Sequence, residues 1–454
     1  GGVMFDIKTW NAVSAAVHSC VCRSIMPNIK NWDWETKEKC ITDINEWISK
    51  FPQVHELVVS NDGEKIAAAV KTEDEEITIC VNGETWEETF EKVWSVKFSP
   101  DDRLTALVCA DDEWTLAIDG NPWENKFEYV WDTTFSADGK SIAIKARSEG
   151  KYKVVVNDQP WENDFLEMRD MVISPDGRNT AAAVQIEAMP EGDIFKFEEG
   201  LWTVAVNGKP WPKKFQNVWG LDFSSDSAHV AAEVRIDPEH NTIAIDGKPW
   251  SEAYSWTWGP KFKPNSHRVT APVQKGKWSL AIDGEIIWPA IFKQLWHQVF
   301  SPDEVSIAAV VALKNGKWTI AVDGKPWNTT VNGAVVEPVF SPNGKKIAAI
   351  VKLDEPVVEL KPYRVWSIVV DDYIWPEWFD MVWDPVFSPD GENVATKVER
   401  NHKYTWAING KVWNKEFDAI WPPIFSPDGN KMLLRCIENG KYYRRIISVS
   451  EILG

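Results

Sequence analysis

Short apolar runs recur along most of the chain, each bounded by Pro, Asp, Asn and Gly. Ile66-Ala67-Ala68-Ala69-Val70, Ile307-Ala308-Ala309-Val310-Val311 and Ile347-Ala348-Ala349-Ile350-Val351 are continuous rather than alternating. That is the pattern of a strand covered on both faces. Each run follows a box of the type Phe135-Ser136-Ala137-Asp138-Gly139, Phe340-Ser341-Pro342-Asn343-Gly344 or Phe425-Ser426-Pro427-Asp428-Gly429. Weaker copies stand at Ser60-Asn61-Asp62-Gly63, Phe223-Ser224-Ser225-Asp226 and Phe262-Lys263-Pro264-Asn265. In the box, Pro presets the turn's second residue while Asp or Asn and Gly supply the cap and the permissive last position, so a strand ends there in a tight turn.

After each apolar run comes a third strand, such as Trp318-Thr319-Ile320-Ala321-Val322. It leads into Asp323-Gly324, the two-residue signal of a hairpin with both central residues left-handed. The same turn recurs at Asn82-Gly83, Asn207-Gly208, Asp246-Gly247 and Asn409-Gly410. Ten boxes are present, most of them about 37 to 40 residues apart, the period of four-stranded propeller blades. The predicted fold is all-β: a β-propeller of about ten four-stranded repeats with a short, partly helical N-terminal segment. Residues 1–52 form that extension and residues 53–454 the repeats. One large ring and two smaller propellers both satisfy the count.

Composition sharpens this picture at one point. The chain holds 28 Trp, and side chains that bury so much area must be placed systematically. Trp86, Trp123, Trp161, Trp211, Trp375 and Trp413 follow the hairpin turns, and Trp94, Trp131, Trp219, Trp296 and Trp383 precede the boxes. Their fixed register predicts wedges between adjacent sheets rather than ligand contacts.

Three segments leave the register, and such departures carry partner-specific surface in repeat proteins. In the first, Ile41, Ile44, Trp47 and Ile48 fall on one face of a predicted helix ending before Pro52, which either closes the propeller or meets a partner. The second, Glu187 to Gly200, interleaves Met189, Phe195 and Phe197 with Glu191, Asp193, Glu198 and Glu199. It is either a docking element or a solvated hairpin extension. The third, from about Leu353 to Pro362, includes Val357 and Val358 and either lengthens two strands or forms a binding loop. Trp47, Met189, Phe195, Phe197, Glu198, Glu199, Val357 and Val358 are the candidate partner contacts.

A net charge of −19 repels phosphate backbones, which argues against nucleic acid as a partner. No apolar run is long enough to span a bilayer, no secretory signal opens the chain, and six Cys form no disulfide framework, so the chain reads as cytoplasmic. His18, Cys20, Cys22 and Cys40 have metal-ligand chemistry, yet their spacing matches neither a zinc finger nor an iron–sulfur run. Cys20, Cys22 and Cys40 are read as reduced, half-buried thiols, and no metal or cofactor ligand set is assigned. There is no Gly-x-Ser-x-Gly elbow and no phosphate-cradling loop, and His55-Glu56 lacks a second His at helical spacing. No catalytic residue is assigned, although two carboxylates converging on the propeller could hydrolyse glycosides without a linear motif.

The box followed by Ile-Ala resembles the WD40-like repeats of TolB-type propellers from about Val54 onward, which implies fold and not function. The fuller unit Trp318-Thr319-Ile320-Ala321-Val322-Asp323-Gly324-Lys325-Pro326-Trp327, echoed at 202–211 and 114–123, is similar to the tryptophan-rich subunit family, TmcD, of the transmembrane redox complex of sulfate-reducing bacteria. That resemblance implies a non-catalytic accessory subunit, cytoplasmic and peripheral to the inner membrane, docked on an iron–sulfur subunit and a membrane cytochrome b subunit. It brings no catalytic residues and no cofactor of its own. The alternative is a free-standing ligand-binding or carbohydrate-active β-propeller.

Overall fold

The computed structural model describes residues 29–189, 192, 194–354 and 364–454. They form ten antiparallel sheets, each a blade of a propeller. Blade 2 shows the unit: an innermost strand Lys92–Phe98, then Leu104–Ala110, Glu113–Ile118 and a two-residue outer strand Asn121–Pro122. Each blade packs on the next, and blade 10 packs on blade 1, so the ten form one closed ring rather than two smaller propellers.

The second strands are rich in alanine because sheets converge towards the axis and leave little room between them. Ala67, Ala68, Ala182, Ala231, Ala308 and Ala348 are fully buried there. Further out the sheets diverge, and the post-turn indoles fill the gap: Trp123, Trp161, Trp211, Trp288, Trp375 and Trp413 are all buried. Trp161, Trp211, Trp288 and Trp375 each lie against the turn glycine of the following blade, Gly208, Gly247, Gly324 and Gly410. Asn207 (φ 49°) and Gly208 (φ 80°) form a left-handed hairpin turn, and a Cβ on Gly208 would stand 3.1 Å from the Trp161 Cβ. Gly208→Ala therefore meets both an unfavourable φ and an occupied space. It is expected to destabilise the ring by about 1–3 kcal/mol in denaturant titration; an unchanged midpoint would show that the indole and glycine do not interlock.

The Ser of the box stabilises the first turn. Ser136 Oγ donates to Asp138 Oδ1 (2.6 Å) and accepts from Ser141 N (2.9 Å), and blade 6, with Lys263 in the Ser position, is the exception to the Ser–Asp or Ser–Asn pair among the ten.

The ring closes through the N-terminal segment. Strand Glu38–Asp43 pairs antiparallel with Lys441–Ser448 and supplies the outer strand of blade 10. Residues 38–43 are thus part of a blade, although they lie within the stretch 1–52 read as an extension. Helix α1 (Ile44–Lys50) follows, capped by Asp43, whose side chain accepts from Asn45 N. The predicted helical face is only partly realised: Ile41 belongs to the strand and Ile48 is 64% exposed. Trp47 is 2% exposed and packs with Val59 and Ile66 of blade 1 and Ile437 and Tyr442 of blade 10. Its indole wedges the seam, and burial removes it as a partner contact.

Three buried donors from blade 10 cross this seam to the first box. Tyr442 Oη donates to Gly63 O (3.0 Å), Arg435 Nη1 to Ser60 O (3.0 Å) and Arg444 Nε to Asp62 O (2.8 Å). Arg444 Nη2 also reaches Asp33 O (2.7 Å). Lacking the usual Phe and Pro, the first box offers carbonyls instead of packing.

Strand order gives the ring two unlike faces. Box turns and hairpin turns both lie at one end of the strands, the turn face. Second-to-third-strand connections and the links between blades lie at the other, the loop face.

Candidate functional site

Both internal off-register segments are second-to-third-strand connections, in blades 4 and 8, so both belong to the loop face. In blade 4, Thr180–Gln185 leads to Trp202–Val206 through helix α2 (Ile194–Glu199). The segment is helical rather than a hairpin extension. Met189 is 68% and Phe195 74% exposed, and Glu198 and Glu199 face solvent. Phe197 is half-buried against the cluster of Leu201, Trp202, Phe215 and Val218, which anchors the helix to the blade. Lys214 pairs with Glu187 (3.1 Å) at the base. Pro190, Glu191 and Asp193 lie outside the described residues, as do Val357 and Val358. Of the blade 8 segment, Leu353 N donates to Val365 O (2.9 Å), so the ladder continues past the strand end.

The indoles preceding the boxes also open towards the loop face. Trp94 is 55% exposed, and Trp131, Trp219, Trp296 and Trp383 are half-buried, so this set is less enclosed than the wedge reading expects. Trp94, Trp114, Tyr129, Trp131 and Tyr152 form a chain of ring contacts with successive centroids 5.7–5.8 Å apart. Leu166, Ile236 and Trp256 add exposed apolar surface on the same face.

A second group lines the axis. Each innermost strand breaks or bulges near the third position before the apolar residue that opens the box, and Asp132 (φ 56°) and His297 (φ 57°) take left-handed backbone there. Bulges re-aim side chains, and in other blades this position holds Asp170, Glu337 and Asp384. Near the axis Lys261 of blade 6 meets Glu337 of blade 8 at 2.8 Å, reaching past blade 7. Asp132 pairs with the buried Lys145 of its neighbouring strand (2.7 Å). Glu233 takes the position equivalent to Lys145; burial, reinforced by the Asp170 charge, pushes its carboxyl up to about 8. Asp170 itself accepts from Gly220 N (2.9 Å). Burial likewise raises Asp222 to about 6 although Phe262 N donates to it (2.7 Å), and lowers Lys397, lying over the Trp383 ring, to about 8.

No protein-family model matches the chain, and no curated protein matches it. Among solved structures it is similar to one described as the crystal structure of the eukaryotic initiation factor, over 80% of this chain and 88% of that one, with 14% identity and a TM-score of 0.43. It is similar to the putative TolB of Agrobacterium tumefaciens over 46% of this chain and 81% of that one, with 14% identity and a TM-score of 0.29. A third likeness is to the β-propeller domain of the trilobed protease of Pyrococcus furiosus, described as having an open velcro topology; it covers 62% of this chain and 98% of that one at 16% identity and a TM-score of 0.28. None of these likenesses bears on function.

Residues that the sequence left unremarked are therefore the axial carboxyls and lysines. Their signal was present: a carboxylate three residues ahead of the apolar residue that opens the box at Asp132, Asp170, Glu337 and Asp384. The buried thiols carry no comparable chemistry. Burial raises Cys80 to about 11 and Cys436 to about 12, leaving both protonated, while Cys40 is exposed on the closing strand. Cys40 is thus not the half-buried thiol expected, because it stands on the outermost strand of blade 10, and His18, Cys20 and Cys22 lie outside the described residues. Among the described residues no helix is long and apolar enough to cross a membrane.

Proposed function

We infer that the chain is a non-catalytic docking subunit of a membrane-associated electron-transfer complex, attached to iron–sulfur and cytochrome b subunits through its loop face. One observation carries this reading: exposed apolar side chains from several blades, Trp94, Leu166, Met189, Phe195, Ile236 and Trp256, belong to the face that also bears the off-register helix. Exposed apolar surface rimmed by polar groups is characteristic of protein contacts. The tryptophan-marked unit, similar to that of the redox-complex subunit family, supplies the class of partner, and the negative charge of −19 favours a basic counterpart.

The alternative of a carbohydrate-active propeller has one feature in its favour, a Glu233 carboxyl of raised proton affinity near the Asp170 carboxyl, as an acid and a base would be paired. Glu233 is buried between sheets, however, so its raised proton affinity reflects enclosure and not access to a substrate.

The test is capture of partners from native membranes with the tagged full chain, read by haem absorbance and iron content. The parent chain is expected to retain both redox signals, and Met189→Asp combined with Phe195→Asp to lose most of them while the far-ultraviolet spectrum stays unchanged. Capture without haem or iron refutes the electron-transfer reading; undiminished capture by the double variant removes α2 from the interface.

A further inference from the structure

Two histidines and an aspartate converge on the turn face where blade 5 (Asn217–Phe223 to Lys248–Pro249) meets blade 6 (Trp256–Thr257 to Glu285–Ile286). We propose that Asp226, His229 and His267 bind a divalent transition-metal ion of the zinc, nickel or cobalt type. One ligand atom from each lies within 4.8 Å of the other two, and the imidazole rings stand 4.4 Å apart, edge to face.

His229 and Asp226 are each held by bonds that leave a second atom to face the ion. His229 Nδ1 meets Asp246 Oδ2 at 2.6 Å, and Asp246 is itself fixed because its Oδ1 accepts from Val230 N (3.0 Å). A carboxylate on one ring nitrogen sets the tautomer and leaves Nε2 as the metal donor, the arrangement usual behind metal-bound histidines. Asp226 Oδ1 accepts from Ser224 Oγ (2.5 Å) and Ala228 N (3.1 Å), so Oδ2 remains. The Ser224 hydroxyl, followed by His267, holds this carboxyl ionised well below the usual range. Oδ2 meets His267 Nε2 at 2.7 Å. A cation entering between them replaces that hydrogen bond, and the neutral imidazole binds it through Nε2 with its proton on Nδ1.

Within the repeat this spot is exceptional. Where His229 stands, other blades carry Lys65 or, each paired with a nearby acid, Arg103, Arg268, Lys346 and Lys431. A lone histidine there would be the same device. His267 comes from the adjacent box, at the position of Ala228, and brings a second imidazole against the first. Two imidazoles and one carboxylate suit borderline transition metals rather than calcium or magnesium. Ser225, Asn265 and Ser266 line the concavity beside Asp226 and His267, leaving room for the water ligands that complete a three-residue site.

The experiment uses the untagged, chelator-treated full chain titrated with zinc chloride in a calorimeter, with cobalt chloride as a spectroscopic probe. One zinc ion per chain is expected. His229→Gln or His267→Gln should weaken it at least about 100-fold, and Asp246→Asn about 10-fold or more, with circular dichroism unchanged because these side chains are at least partly exposed. Absence of saturable binding overturns the proposal. So does binding that survives His267→Gln, and so does an intense thiolate band in the cobalt complex, which would place the ion on cysteines.

Discussion

Arg444→Met is expected to lower the folding free energy by about 3–5 kcal/mol, the range for removing one member of a buried charged network. Arg444 is fully buried, donates to carbonyls of Asp62 and Asp33, and stands 3.1 Å from Glu64. Methionine preserves most of the volume but orphans two carbonyls and leaves the Glu64 carboxylate to Lys39 alone (2.8 Å). The loss should be localised: hydrogen exchange should accelerate in blades 1 and 10 before the rest of the ring, because those blades share the seam. Uniform acceleration in all ten blades, or a loss under about 1 kcal/mol, would mean that the strand pairing of Glu38–Asp43 holds the ring closed without the arginine.

Glu233→Gln is expected to act with the opposite sign, and only above a certain pH. With its carboxyl raised to about 8 from an ordinary 4.5, the folded chain keeps a proton that the unfolded chain has released across that window. Raising pH from 4.5 to 8 therefore favours the unfolded state, by about 5 kcal/mol when complete. Glutamine imitates the protonated carboxyl and removes this dependence. Urea titrations should show parent and variant alike near pH 4.5, with the variant more stable by a few kcal/mol at pH 8.5. Lys397, lowered to about 8, works the other way but only above that value, since its folded form prefers to be neutral. Parallel pH profiles for the two chains would mean that Glu233 is solvated rather than enclosed.

Much of the fold was legible because each repeat states it again. A turn such as Phe135-Ser136-Ala137-Asp138-Gly139 has one good backbone solution, and the apolar run after it tolerates only a doubly covered strand. The count of ten blades followed, whereas one ring against two did not, since closure depends on side chains at opposite ends of the chain. Arg435, Tyr442 and Arg444 bear no sequence mark that ties them to Ser60-Asn61-Asp62-Gly63.

Helical periodicity failed at residues 41–48 for a related reason. Pairing with Lys441–Ser448 drew Ile41 into a strand, and tertiary contact then selected Trp47, not Ile48, as the buried residue. Of the candidate contacts, Met189, Phe195, Glu198 and Glu199 lie on the surface and Phe197 is half-buried. The two-histidine cluster escaped notice because 38 residues separate its imidazoles along the chain, and only the stacking of one blade on the next brings them together.

Closure by the N-terminal strand also fixes an order of events during biosynthesis. Asp43 and its partner Lys441 are 398 residues apart, so at ordinary translation speeds the first-made strand waits roughly 20–80 s for the last blade to emerge from the ribosome. Throughout that interval the nascent chain carries an unsatisfied strand edge at each end of an open arc. Such edges recruit foreign strands, which makes the unfinished polypeptide a natural client for chaperones.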